Sequence, residues 1–120
     1  MTVGEIISRV ERSRPGCSVS LDDFLFEINK IYKEIYDNII SRHEGAGEFV
    51  KLSCENDTLF LPDPFVDLIK YRLMAMLDLE NGDTTRYSNN MIVYNNLLLE
   101  YSDWYTRFHM PKQNARLRWN

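Results

Sequence analysis

A chain of 120 residues with 44% hydrophobic content can bury one moderate core and leaves no room for separate catalytic and substrate domains. Its charged fraction of 27% and net charge of -4 suit a soluble protein and do not favour a general nucleic-acid binder. Cys17 and Cys54 stand far apart with no suitably spaced Cys or His beside them, so neither a disulfide framework nor a zinc site is expected and reduced thiols are the default.

The first residues contain Glu5 and no continuous apolar run, unlike a signal peptide, and no stretch of the chain reaches the length of a membrane span. Thr2 is placed to cap a short helix through about Ser13, with Glu5 completing a capping box and Val3, Ile6, Ile7 and Val10 on one face. Arg14-Pro15-Gly16 ends it. Ser20 caps a second helix running to about Arg42, with Asp22 and Asp23 favoured by the positive helix end. Leu21, Phe24, Leu25, Ile28, Ile31, Ile35 and Ile39 form its buried stripe, and Glu27, Lys30, Lys33, Glu34 and Asp37 form a solvated face with Lys30 and Glu34 paired.

Gly45-Ala46-Gly47 breaks the helical pattern, and two short β-rich runs follow around Glu55-Asn56-Asp57, which predicts a β-hairpin at about residues 48–61. Two strands alone are marginal, so the hairpin needs helices beneath it or a strand from another chain beside it. Asp63 and Pro64 are positioned as the cap and first residue of a third helix, whose core face is Phe65, Val66, Ile69, Leu73, Met76 and Leu77. Asn81-Gly82 stops it, and a short connection places the fourth helix antiparallel to the third.

The fourth predicted helix, Asp83 to Pro111, carries Tyr87, Met91, Tyr94, Leu98, Tyr101, Tyr105 and Phe108 at alternating steps of four and three on one face. Pro111 ends it, because proline has no amide hydrogen for the next turn. Its four tyrosines and Trp104 each have a polar tip wanting a partner, a composition that fits a protein interface better than a dry interior. Beyond it, residues 112–120 form a basic tail in which Leu117 and Trp119 alternate with Arg116 and Arg118. With Arg107 counted in, this end holds no acid, and the remainder carries about -8, so an extended tail can dock on the acidic body of another copy. The fold expected is mainly α: a small bundle of about four helices with an inserted hairpin, one domain over 1–111, and an extended C-terminal tail over 112–120.

Catalytic signals are weak. No Gly-rich phosphate loop, metal-ligand spacing or nucleophile elbow is present. Asp22-Asp23 is explained by the helix dipole, and Cys54 with His43 has nothing to orient the imidazole. His109 reads as a cap for the last carbonyls of the fourth helix. No enzyme activity, cofactor or metal is therefore expected.

Three stretches, Tyr71-Arg72-Leu73-Met74-Ala75-Met76-Leu77-Asp78, then Arg86-Tyr87-Ser88-Asn89-Asn90-Met91 with Tyr94-Asn95, then Trp104-Tyr105-Thr106-Arg107 leading into His109-Met110-Pro111, resemble the small head-tail connector (adaptor or head-completion) proteins of tailed bacteriophages and prophages. The resemblance covers roughly residues 58 to 112. It implies a non-enzymatic structural protein of the virion neck, assembled in the bacterial cytoplasm as a dodecameric ring. Its partners would be further copies of itself, the portal protein, the next neck or tail component, and DNA that passes through the channel without sequence-specific binding. No membrane is involved. The partner-interface candidates are Tyr101, Trp104, Tyr105, Arg107, His109, Met110, Pro111, Arg116, Leu117, Arg118 and Trp119. The alternative is a small helical DNA-associated packaging or regulatory protein, motivated by Arg107, Arg116 and Arg118.

Overall fold

A computed structural model of the chain describes residues 1–110. Four α-helices follow one another: α1 (Val3–Ser13), α2 (Leu21–Asn38), α3 (Asp67–Glu80) and α4 (Thr84–Phe108), with a short 3-10 turn at Ile40–Arg42. The basic tail and Pro111 lie outside the described residues. No helix among them is long and apolar enough to cross a membrane.

The caps read from the sequence for α1 and α2 are formed. The Thr2 hydroxyl accepts the Glu5 N–H at 3.2 Å, and the Ser20 hydroxyl accepts that of Asp23 at 3.2 Å. All four residues of the predicted α1 stripe are buried, Val3, Ile6 and Val10 completely. On α2, Phe24 through Ile39 of the predicted stripe are buried, whereas Leu21 lies at the exposed start of the helix. Two polar residues join that stripe, Asn29 and Tyr32. Helix α2 also stops at Asn38, earlier than Arg42, where the backbone tightens into the 3-10 turn. On its outer face Lys30 pairs with Glu27 at 3.4 Å rather than with Glu34, in a geometry that also sets its ammonium over the Phe26 ring.

Helix α3 is the central element. Leu68, Ile69, Leu73, Met74, Ala75, Leu77 and Asp78 are all buried, more of its circumference than one stripe would cover, because α1, α2 and α4 all pack on it. It begins at Asp67, later than the Asp63 cap predicted, because residues 63–66 form turns in which Asp67 N–H reaches Pro64 and Leu68 N–H reaches Phe65. Its end follows a Schellman pattern: Gly82 N–H bonds to Leu79 O at 3.1 Å and Asp83 N–H to Asp78 O at 2.9 Å, with Gly82 at φ 77°. Asp83 then caps α4 by accepting the Arg86 N–H. Contacts of Phe65 with Tyr101, Arg72 with Tyr94 and Asp78 with Asn90 run in opposite chain directions, which makes α3 and α4 antiparallel.

The β-hairpin expected at 48–61 is not formed; none of the described residues lies in a strand, and Thr58 makes an isolated antiparallel bridge with Thr2. The backbone groups a hairpin ladder would need are engaged elsewhere. Leu52 exchanges two hydrogen bonds with the Asn29 amide, at 2.8 and 2.9 Å. The Asp57 carboxylate accepts the N–H groups of Ser53 and Cys54, which holds its pKa below the usual range. The carbonyls of Asp57 and Glu55 accept the first free N–H groups of α1, from Val3 and Gly4, and Leu59 N–H reaches Met1. A Cβ on Gly4 would stand 3.3 Å from the Glu55 oxygen, a tight contact that glycine avoids. Leu52, Leu59 and Leu61 still reach the core, as anchors of an irregular segment.

Candidate interaction surface

The end of α4 is built from rings. Phe65 meets Tyr101 and Trp104 at centroid distances of 5.5 and 5.6 Å, Trp104 meets Phe108 at 5.3 Å, and Tyr105 stacks on His109 at 3.9 Å and 7°. His43, buried at the end of the 3-10 turn, approaches Tyr105 edge-on at 5.0 Å. Its Nδ1–H donates to the Ile39 carbonyl at 2.6 Å, and its Nε2 lies 3.1 Å from the Thr106 hydroxyl. One more bond, from Glu44 N–H to Met110 O at 2.7 Å, fastens the chain where it leaves α4. Aromatic burial on this scale is worth a few kcal/mol per ring, far more than the single hydrogen bonds beside it, so packing holds this end of the helix.

The partner-interface candidates divide accordingly. Tyr101 and Tyr105 are buried in the core, and burial pushes both phenols up from their ordinary pKa. Trp104 and His109 are half-buried, and His109 donates from Nδ1 to the Tyr105 carbonyl at 3.1 Å, the capping role its position suggested. Arg107 and Met110 are exposed, as is Phe108, which shares the apolar helix face of Tyr101 and Tyr105 in the sequence pattern. Pro111, Arg116, Leu117, Arg118 and Trp119 lie outside the described residues.

Tyr101, Trp104, Tyr105 and His109 form one wall of an apolar groove of ≈ 540 Å³. Its other wall comes from Tyr36 and Ile40 at the end of α2 and from Phe49, Val50, Phe60 and Pro62. This second wall does not follow from the sequence pattern, because a hairpin would send Phe49 and Val50 to opposite faces. Its signal was the cluster of large apolar residues in a Gly-flanked connection. Val50 is 78% exposed and Phe60 44% exposed. The Tyr36 hydroxyl donates to the Gly47 carbonyl, and Lys33 sits over both Tyr36 and Phe49 while pairing with Asp37.

A second hollow, ≈ 480 Å³ and polar, lies by Arg14, Asp78 and Arg86. Arg14 clamps Asp78 through two nitrogens at 2.7 and 2.8 Å, and Asn90 donates to the same carboxylate at 2.8 Å. The Arg14 bonds hold Asp78 below the usual carboxylate range, and the same pairing raises Arg14. This is a structural pair with its bonding satisfied. Cys54 donates its thiol toward Asp57, and His43 is committed to Ile39 and Thr106, so the two are not joined. Among the described residues no group of three or more His, Cys, Asp or Glu is arranged to hold a metal ion. No family model, no curated protein and no solved structure matches this chain.

Proposed function

We propose that this chain is a subunit of a homo-oligomeric ring in the neck of a tailed-phage virion, bridging the portal to the next neck or tail component around the DNA channel. The observation that carries the reading is the apolar surface of α4 left exposed among the described residues. Ile92 and Leu99, seven residues apart on one outer face, are 58% and 65% exposed, and Phe108 and Met110 stand out at its end. Together with the exposed Phe60 and Val50, they give one chain several apolar patches in different directions, which suits a subunit with neighbours on more than one side. Ring closure needs this heterologous arrangement, in which one patch meets a different patch on the next copy.

Native mass measurement of the chain, alone and mixed with portal particles, tests the reading. A ring-sized species or joint assembly with the portal is the expected outcome, and a chain that stays monomeric in both samples would overturn it. A chain that assembles only with the portal agrees with it, since association is governed by partner concentration. Salt-sensitive binding of duplex DNA by the isolated chain would instead favour the DNA-associated alternative.

A further inference from the structure

We propose that the narrow cleft around Arg72 is a socket in which one copy of the chain receives the outer face of α4 from the next, the Glu100 and Asp103 carboxylates of the incoming helix meeting the Arg72 guanidinium. The contact rests on the ring reading and specifies which two patches join. Arg72, half-buried on α3, lies over the Tyr94 ring at 5.4 Å and donates from Nη1 to the Met91 sulfur at 3.2 Å. Among the described residues it makes no ion pair. A guanidinium carries five N–H donors in a fork that fits a carboxylate, and a thioether is only a weak acceptor. The cleft, ≈ 130 Å³, is walled by Ile31, Met76, Leu79 and Tyr87, and Leu79 is 54% exposed. Glu27 also lines it but is engaged by Lys30 at 3.4 Å. A carboxylate carried on an apolar surface is the group that satisfies both the arginine and this rim.

Charge complementarity selects the occupant. From Tyr87 to Thr106, α4 holds Glu100 and Asp103 and no Lys, Arg or His. Both acids are exposed and make no ion pair among the described residues, and Leu99, 65% exposed, lies beside them. Other exposed apolar residues next to acids are less suited. Glu27, beside Phe26, is taken by Lys30, and Asp22 and Asp23, beside Leu21, sit in the positive first turn of α2. Glu80 adjoins Leu79 of the cleft itself. Socket and helix face are different patches, so the contact is heterologous, the kind that closes a ring.

Two full-length variants test it by native mass measurement with portal particles. Arg72→Glu reverses the socket, and E100R/D103R reverses the helix face. Each alone is expected to need at least about tenfold more protein to assemble, the scale of one close interfacial charge pair. Mixed in equal amounts they should assemble as alternating copies, because every contact then joins opposite charges. If the parent assembles and E100R/D103R, altered only at exposed positions, assembles equally well, the proposal is overturned while the ring stands. Failure of the mixture, with the helical circular dichroism of both variants intact, would overturn it too, by showing that the socket receives something other than α4. A parent that never assembles removes the ring and this contact with it.

Discussion

Asn29 and Tyr32 lie one turn apart on α2, both buried, and their polar atoms have opposite fortunes. The Asn29 side chain exchanges two hydrogen bonds with the backbone of Leu52, while the Tyr32 hydroxyl, facing the backbone of Phe60 and Leu61, makes no well-aligned hydrogen bond among the described residues. Burial accordingly pushes the Tyr32 phenol well up. The contrast makes a paired prediction. Asn29→Ala should destabilise the fold by about 2–3 kcal/mol, since it leaves a buried N–H and C=O unsatisfied, whereas Tyr32→Phe should be neutral or stabilise by up to about 1 kcal/mol. Urea unfolding of both variants against the parent checks it; equal losses would show that the Tyr32 hydroxyl holds a stabilising hydrogen bond of its own. Neither role was legible beforehand. A polar residue in the phase of an apolar stripe announces burial, but its partner lies 23 residues away in irregular chain.

At the scale of elements, the local signals held where both ends of an interaction sit within one turn. Thr2, Ser20 and Asp83 cap helices, and Gly82 closes α3 with a left-handed residue. Gly82→Ala should cost about 1 kcal/mol, read as a lowered thermal midpoint, because the strain is conformational and no atom stands within 4 Å of the added Cβ. A larger loss would mean that the α3–α4 connection had been displaced. The stripe on α4 was only partly legible for a reason of length. Its 25 residues span ~37 Å against ~21 Å for the 14 of α3, so one antiparallel partner cannot cover it. Phe65 and His43 take over at the far end, and Phe108 extends past them.

In the whole molecule, one carboxylate ties three helices together. Asp78 of α3 is gripped by Arg14, just after α1, and by Asn90 of α4, with only 3% of its side chain exposed. Its pKa is lower folded than unfolded, so its contribution is complete above the unfolded value of about 4 and is lost as the pH falls through the folded one. Stability should therefore decline on acidification below about pH 4. Asp78→Asn should lose about 3 kcal/mol at neutral pH, by leaving Arg14 half-buried without its charge partner, and should show a flatter acid limb. Urea midpoints from pH 2 to 7 measure both, and an unchanged acid limb would assign the decline to other carboxylates.

Helix number and order, the caps of α1, α2 and α4, and most buried faces of α1 and α2 were legible from the chain because they depend on period and on neighbours three or four residues away. The course of residues 43–66 was not. Its β-rich composition favours strands only if its backbone groups pair with one another, and here α1, Asn29 and Asp57 take them first. The groove belongs to the same category. Tyr101, Trp104 and Tyr105 could be placed on one helix face from sequence, but Phe49, Val50 and Phe60 meet them only once the irregular segment is pinned against the bundle. Burial of a tyrosine, or its exposure to a partner, is decided by what lies opposite, and that is a property of the assembled chain.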